Sequence, residues 1–472
     1  MIFPIVLFYF YPRIKASMRA NGVLSELPFL STYFSILALS NIPVYKGFER
    51  LSSQNVFPWF KLESKLFLID YIFFSKDPLI SLKNLSNQHP CKEFKDYLDS
   101  YIRSIECGGH PASFLIDYNL KLGERLSYQL KRFSNDASIL GDLIITLFVF
   151  LPLGLISFLL ILNPINAILL LKLYGLILSP ILALLMFVFI DSNQFKFPLD
   201  FKYYKRMMLL ITPISILIFI LLMIFKVNFS HAFVFSLTII LLPVSIMYEL
   251  NMLTCRNLEY NLPRFIRDIS EHIKIGLNVE NALSVVSTSS YGRDLDKIII
   301  YINRALSFSI KSISDIFSEL ISKVNSWFTK TIFWLFSEAI IAGGGRAEVF
   351  SYLSKFCWDY YEFKRRITSE LRIYSLIGYF SSFILIFTSS QLISFLNFFS
   401  KHNFINYNFN FMFIPSDLIP DLTSTLHLVI LIISLLTGLL VGKISGGSIL
   451  SGFKHSLISC YISLLSIHFS GV

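Results

Sequence analysis

Long apolar runs alternate with two long polar stretches along this chain. Seven runs are predicted to be membrane-spanning helices, because most approach the roughly 20 residues that a helix needs to cross a bilayer. They lie at Ile139–Leu162, Asn166–Ile190, Met207–Phe225, Phe233–Leu250, Ile373–Leu396, Leu422–Val441 and, shorter than the others, Ser456–Phe469. The pattern predicts a polytopic membrane protein.

The two polar stretches share landmarks at one fixed spacing. Leu27-Pro28 recurs as Leu262-Pro263 and Gly108-Gly109 recurs as Gly343-Gly344, both with the same offset of 235 in residue number. A repeat at a fixed spacing indicates a structural unit that occurs more than once in the fold. The constant offset predicts one helical domain that occurs twice, each copy opening with a helix led by a Leu-Pro pair.

Helix signals are clearest in the second polar stretch. Apolar residues recur every fourth position there, which is one face of a helix; they are Phe265, Ile269, Ile273 and Leu277. Gly276 is predicted to break this helix, and Asn278 to cap the next one, with Glu280 near its positive end. In the first stretch Ser40-Asn41-Ile42-Pro43 is predicted to supply the cap and the first turn.

Neither polar stretch shows the alternation of a strand, so the predicted fold is all-α, with two homologous helical-bundle domains and about seven transmembrane helices. The predicted division is a first cytoplasmic domain at 1–138 with an interfacial N-terminus, four spans at 139–250, a second cytoplasmic domain at 251–372, and about three spans at 373–472.

Composition and charge agree with a membrane protein. Only 15% of the residues are charged, against about 25% in soluble domains, and 54% are hydrophobic. Residues 1–140 and 251–372 each hold 16 Lys and Arg residues. Because basic residues collect on cytoplasmic segments, both polar domains and the Asp191–Arg206 loop are predicted inside, with residues 397–421 outside. The net charge of +10 comes without a recognition motif, so nucleic-acid binding is not expected.

The chain shows no paired carboxylates, catalytic triad or metal-spaced cluster, so no enzyme, cofactor or metal site is predicted. Its five cysteines form no CxxC pair. The run from Gly438 to Ser445 is one residue too short for a phosphate loop and closes a span, so it is rejected as an ATP site. Gly438, Gly442 and Gly446 recur every fourth position; they either bring two membrane helices close together or are incidental.

Two polar motifs remain as candidate partner-binding sites. Gly343, Gly344, Arg346 and Glu348 are interpreted as a tight corner between helices, which either serves packing alone or presents backbone and charge to a partner. Lys364-Arg365-Arg366 is either a topology signal before the fifth span or a docking surface. The stretch Val349–Arg366 contains no Pro or Gly, so a continuous helix is predicted to lead into that span.

Two other classes of function are less well supported. A solute transporter or channel would need ionisable residues deep in its spans, and these are almost absent. A membrane enzyme acting on lipid or on pilin precursors would need a carboxylate pair or a nucleophile at the interface, and none is evident.

The second polar stretch resembles a known family. Leu262 to Ile269, then Ile275 to Leu283, then Ala342-Gly343-Gly344 are similar to the cytoplasmic domain of the platform proteins of type II secretion and type IV pili. Residues 443–455 look like the archaeal branch, which serves archaella and archaeal pili. In the first stretch Asn41 stands in place of Gly276, Gly47 in place of Ala282, and His110-Pro111 in place of Gly345-Arg346.

The resemblance implies a non-enzymatic platform in the cell membrane that carries two small helical bundles. Its implied partners are a hexameric secretion ATPase, pilin or archaellin subunits, a second copy of the chain in a homodimer, and the lipid bilayer.

The loop at 397–421 gives a first test of the predicted orientation. A cysteine introduced at Asn403 should react with a membrane-impermeant maleimide in intact cells, because this loop is predicted outside. A cysteine in the Asp191–Arg206 loop, as the control, should react only after the membrane is opened. The opposite labelling pattern would reverse the topology.

Overall fold

The structure is a computed structural model that describes residues 2–162, 164–193, 202–307, 312–343, 345–401 and 419–469. All regular structure in these ranges is helical. The chain forms two compact units: unit 1 is Met1–Gln129 with Leu253–Lys364, and unit 2 is Leu130–Met252 with Arg365–Val472. The polar stretches that the sequence predicted as two domains therefore supply two segments of one unit.

The first segment of unit 1 contains α1 (Ile2–Leu39), α2 (Val44–Ser53), α3 (Pro58–Ile69), a π-helical turn (Asp70–Ser75), α4 (Pro78–Gln88), α5 (Lys92–Glu106) and the start of α6 (Pro111–Ile145). Further along the chain are α7 (Leu151–Leu162), α8 (Pro164–Leu173), α9 (Ser179–Asn193), α10 (Lys202–Ile224) and α11 (Phe229–Lys274). The remaining helices are α12 (Val279–Val286), α13 (Arg293–Ser307), α14 (Ile313–Lys323), α15 (Trp327–Gly343), α16 (Ala347–Arg372), α17 (Tyr374–Lys401), α18 (Ile419–Gly446) and α19 (Ile449–Phe469).

Helix boundaries in the two segments of unit 1 follow the offset of 235. Adding 235 to the first positions of α2, α3, α4 and α5 (44, 58, 78 and 92) gives 279, 293, 313 and 327, the first positions of α12 to α15. The sum for α6 is 346, immediately before α16 begins. The helices of the two segments thus occur in the same order at the same spacing.

The turns after α1 and α11 have the same backbone geometry. Asn41 and Gly276, which are related by the same offset, both lie in the left-handed region with φ of 59° and 100°. In each turn this residue and the next donate to carbonyls three and five residues earlier, at 3.0 and 2.8 Å after α1 and at 3.0 and 3.2 Å after α11. This Schellman pairing satisfies carbonyls that the helix end leaves open.

The predicted cap of α12 is confirmed, because Asn278 Oδ1 accepts a 2.8 Å bond from the Asn281 amide. The cap predicted between Ser40 and Pro43 is wrong. Pro43 occupies the N-cap position of α2 and makes no side-chain bond there. Asn41 instead ends α1, because its short side chain tolerates the left-handed conformation.

Two further landmarks differ from their predicted roles. The Leu-Pro pairs do not begin helices, since Pro28 lies inside α1 and Pro263 inside α11. Gly108 ends α5 with φ of 70°, but after α15 the left-handed glycine is Gly345, with φ of 94°. The reason is that α15 extends two residues further than its counterpart. Gly344 lies outside the described residues.

Helix α1 forms the centre of unit 1. Every side chain from Ser25 to Leu37 is buried. A helix that is apolar on all sides must be covered by protein or by lipid, and here 83% of the apolar window between Tyr11 and Leu39 is buried inside the structure, against 6% between Tyr203 and Ile224. The apolar character of α1 is therefore that of a core helix.

Seven helices in the described part of the chain are long and apolar enough to cross a membrane. One is the core helix α1, and the other six overlap six of the predicted spans; they are Lys131–Leu155, Ile168–Ser192, Tyr203–Ile224, Phe229–Lys274, Ala347–Gln391 and Pro420–Gly446. The predicted seventh span lies in α19, whose apolar part, Ile449–Leu465, is shorter. The predicted loop at 397–421 lies largely outside the described residues, as do residues 194–201.

The glycine ridge of α18 packs against α19 inside unit 2. A methyl group added to Gly438 would lie 2.3 Å from Ser456 Cα, and one added to Gly442 would lie 2.1 Å from Gly452 Cα. At Gly446 the same addition would come within 2.0 Å of Ser451 Oγ. Of the two interpretations left open, close packing between membrane helices is therefore the one the structure supports.

The matched turns predict unequal responses to substitution. Gly276→Ala should lower the free energy of unfolding by about 1–2 kcal/mol through backbone strain, since no atom lies within 4 Å of the added methyl group. Asn41→Gly should change it by less than about 0.5 kcal/mol. Tryptophan fluorescence during urea unfolding can measure both, because all four tryptophans belong to unit 1. Equal effects of the two substitutions on the free energy of unfolding would contradict a left-handed conformation at both residues.

Candidate functional site

Three turns meet in unit 1, and we call their described residues the turn face: Ser40–Pro43, Ile275–Asn278, and Gly343 with Gly345 and Arg346. Arg346 Nη1 donates a 2.9 Å bond to the carbonyl of Leu39 at the end of α1. A methyl group built on Gly343 would lie 3.3 Å from Ser40 Oγ, and one on Gly345 3.9 Å from Val279 Cγ2. The glycine corner thus joins the ends of helices from both segments.

The turn face also presents charge and apolar surface to solvent. Arg346 and Glu348 are exposed, and Glu348 lies in the first turn of α16, where the helix dipole favours a carboxylate. Ile275, in the neighbouring turn, is 80% exposed. The motif predicted from the sequence therefore has a packing role through Arg346 and, at the same time, an accessible surface.

The basic triplet does not act as one surface. Lys364 Nζ contacts both carboxylate oxygens of Glu259, at 2.8 and 2.7 Å, and Ser326 Oγ donates to the same carboxylate at 2.7 Å. Lys364 therefore neutralises a buried carboxylate inside unit 1, whereas Arg365 and Arg366 are exposed. Arg346 and Lys364 lie at opposite ends of this stretch of α16, about 27 Å apart at the usual helical rise, so the two predicted motifs are separate.

A buried charge joins the two segments of unit 1. Glu338, on α15, is 5% exposed. Its Oε2 accepts a 2.7 Å bond from Arg50 Nη1 and a 3.2 Å bond from Tyr33 Oη. Burial alone would lower the pKa of Arg50, but the hydrogen bond and the charge of Glu338 raise it above its usual value. No role was assigned to Glu338 from the sequence. A single carboxylate within the apolar run of α15 indicates a buried charge that needs a partner.

A second buried carboxylate serves the first segment alone. Glu63 accepts two bonds from Arg19, at 2.7 and 2.6 Å, and His89 Nε2 lies 3.4 Å from its Oε1. Burial raises the pKa of Glu63, but the bonds and charges of Arg19 and His89 outweigh burial and the pKa falls below its usual 4.5. This carboxylate is therefore held ionised by its partners, in an arrangement that stabilises the fold.

Unit 2 contains two ion pairs among its described residues. Lys443 Nζ lies 2.6 Å from Asp191 Oδ1, and Lys454 Nζ lies 2.7 Å from Glu249 Oε1. Glu249 and Lys454 lie on α11 and α19, and Lys443 is in the last turn of α18. Among the described residues, no group of three or more His, Cys, Asp or Glu side chains is placed to hold a metal ion.

The hydrogen bonds of Glu338 to Arg50 and Tyr33 predict that replacing Glu338 strongly lowers the stability of unit 1. Glu338→Ala should lower the free energy of unfolding by about 2–4 kcal/mol, because Arg50 and Tyr33 then lose a buried partner. The control is Glu271→Gln, which removes an exposed pair with Arg267 and should cost less than about 0.5 kcal/mol. Urea unfolding followed by tryptophan fluorescence compares them, and similar costs would mean that Glu338 does not join the segments.

Comparison with known proteins finds a similarity in the second segment. Residues 265–393 match the family described as type II secretion system (T2SS), protein F; the match begins in α11, includes α12 to α16 and ends in α17. An uncharacterized protein of Methanocaldococcus jannaschii is 21% identical over 512 aligned residues, which cover 97% of this chain and 82% of that protein. No solved structure matches the chain. The resemblance predicted from the sequence is therefore confirmed for residues 265–393, which are similar to the type II secretion system protein F family and lie in a chain with several helices long and apolar enough to cross a membrane.

Proposed function

We propose that the chain is the membrane platform for an archaellum or an archaeal type IV pilus. In this role it couples a hexameric cytoplasmic ATPase to the insertion of pilin or archaellin subunits into the growing filament. The observation that carries the proposal is the match over 265–393, because it covers much of the turn face, all of α16 and most of the span that follows. The archaeal relative supports the archaeal branch.

In this proposal unit 1 is cytoplasmic. Its two segments hold most of the basic residues, and basic residues mark cytoplasmic segments. The shared offset of 235 in helix order supports an origin of the two segments by duplication. In such a platform the membrane helices of unit 2 would lie beside the pilin subunits, and a second copy of the chain would complete a homodimer.

Within unit 1 the turn face is the best candidate for contact with the ATPase. It combines accessible charges at Arg346 and Glu348 with a backbone corner that is fixed by a hydrogen bond to α1. Helix α16 begins there and continues to Arg372. Because no Gly or Pro interrupts it, a displacement of its first turn is transmitted along the helix axis toward α17. Arg365 and Arg366 add exposed charge near its far end.

This role requires movement and binding but no covalent chemistry, so the proposed platform is not an enzyme. A transporter or channel would require charges available within its spans. Among the described charges of unit 2, Glu249 pairs with Lys454 and Asp191 pairs with Lys443. No observation on this chain favours that alternative.

The proposal is tested by separating the three basic residues of α16. Arg365→Gln with Arg366→Gln should abolish filaments and weaken ATPase co-purification by about tenfold or more, because charged contacts are lost while unit 1 stays folded. Lys364→Gln is the contrasting variant. It should lower the stability of unit 1 by about 2–4 kcal/mol, because Glu259 remains buried without its cation.

Filament counts by electron microscopy and ATPase recovery from detergent extracts provide the two readouts. Normal filaments in the double variant would restrict Arg365 and Arg366 to a role in topology. Normal filaments in a strain that lacks the chain altogether would contradict the platform proposal itself.

A further inference from the structure

An apolar surface lies exposed on the first segment of unit 1. It is formed by α3, the π-helical turn and the start of α4, and its side chains are 47–75% exposed: Leu62, Leu66, Ile69, Ile72, Phe73, Phe74 and Ile80. We call these seven residues the apolar patch. Residues 62, 66, 69 and 73 follow the spacing of one helix face, so the patch is a continuous stripe rather than scattered side chains.

In its described residues, the second segment lacks this surface. Residues 62, 66, 69, 72 and 80 of the patch correspond under the offset of 235 to residues that carry a charge or a hydroxyl group. These residues are Lys297, Tyr301, Arg304, Ser307 and Asp315. The corresponding helices therefore carry a water-compatible face in one segment and an apolar face in the other. Helices α13 and α14 form without apolar side chains at these five positions, so folding alone does not require the five apolar side chains in the first segment.

The shape and charge of the patch indicate what covers it. Phe73 and Phe74 are 71% and 75% exposed in a short turn that ends at Lys76, whose φ is 53°, so both rings protrude. Lys65, Lys76 and Lys83 are exposed around them. Protruding aromatic side chains with a rim of lysines are suited to a lipid surface, in which the rings enter the acyl region and the ammonium groups meet anionic headgroups.

The acidic residues of the same stretch are bonded within the fold. Glu63 pairs with Arg19, Asp70 accepts a 3.1 Å bond from Asn84 Nδ2, and Asp77 accepts a 2.8 Å bond from the amide of Leu79. Asp70 and Asp77 keep their charge, because they are bonded to neutral amides, but Lys65, Lys76 and Lys83 outnumber them, so the net charge around the patch is positive. A negatively charged surface is favoured over a basic protein partner.

We propose that the apolar patch inserts into the interfacial region of an anionic lipid bilayer and binds unit 1 to the membrane surface through its first segment. The chain itself contains helices long enough to cross a bilayer, so a lipid surface is present wherever the protein is assembled. The platform function gives these residues no role, and the test of their lipid contact needs neither ATPase nor pilin.

The test compares two matched positions in the full-length protein. The two variants are Ile72→Cys and Ser307→Cys; the two positions are related by the offset of 235 and both are exposed. In both variants Cys107 and Cys255 are replaced by serine, and the introduced cysteine is labelled with a nitroxide. The three remaining cysteines are buried. The labelled proteins are placed in nanodiscs of phosphatidylcholine and phosphatidylglycerol, and tryptophan fluorescence verifies that unit 1 is folded.

Accessibility to oxygen, which concentrates in lipid, is compared with accessibility to a water-soluble nickel chelate. The label at Ile72 should favour oxygen and the label at Ser307 should favour nickel. Replacing Lys65, Lys76 and Lys83 by glutamine should weaken the lipid-bound state about fivefold for each lysine lost, and omission of the anionic lipid should also weaken it.

If the label at Ile72 is as accessible to the nickel chelate, relative to oxygen, as the label at Ser307, the proposal is wrong. Protection of Ile72 from both reagents would also overturn it, because the patch would then be covered by protein, either by a second copy of the chain or by another element of this one.

Discussion

The burial of every side chain of α1 between Ser25 and Leu37 is the constraint on which unit 1 depends. Phe29 lies with its ring centroid 4.8 Å from that of Trp327 and 4.5 Å from that of Tyr360, and Tyr33 lies 4.7 Å from Trp334. Burying one such side chain stabilises a fold by about 1.5–3 kcal/mol, and these rings of the first segment obtain that burial from the second. The two segments therefore share part of their core and cluster as one unit.

The equivalent helix of the second segment faces a different environment. Under the offset of 235, Phe29 and Tyr33 correspond to Arg264 and Asp268. The side chain of Arg264 is 59% exposed, and Asp268 accepts a 2.7 Å bond from Tyr291 Oη. The two segments keep the same helix order and turn geometry, yet one supplies the central helix and the other a partly solvated one.

The local signals in the sequence predicted local structure well. The break at Gly276, the cap at Asn278 and the uninterrupted α16 all depend on neighbouring residues, and the structure contains each of them. The clustering of the two polar stretches in one unit could not be predicted, because an apolar helix that is covered by another segment cannot be recognised from its own residues. The role of α1 depends on distant side chains of the second segment, such as Trp327 and Tyr360.

The same limit applies to the candidate site. Lys364 looked like part of a basic surface, but its partner Glu259 lies 105 residues earlier, and no spacing rule connects them. Glu338 pairs with Arg50 across 288 residues. The sequence predicted a glycine turn after α5 and after α15, and the structure has both turns. The length of α15 determines which glycine of the second turn adopts the left-handed conformation. Charges that pair at long range require the fold before their roles can be assigned.

The central claim is that both segments of unit 1 form one cooperative body around α1. Native-state hydrogen exchange of the full-length protein, measured in increasing concentrations of urea, tests it most directly. Amides of α1 between residues 25 and 37 and amides of α15 should converge on one opening free energy, because exposing either helix requires both segments to separate. Continued protection of α15 after α1 has exchanged would contradict the claim and show that the second segment folds independently.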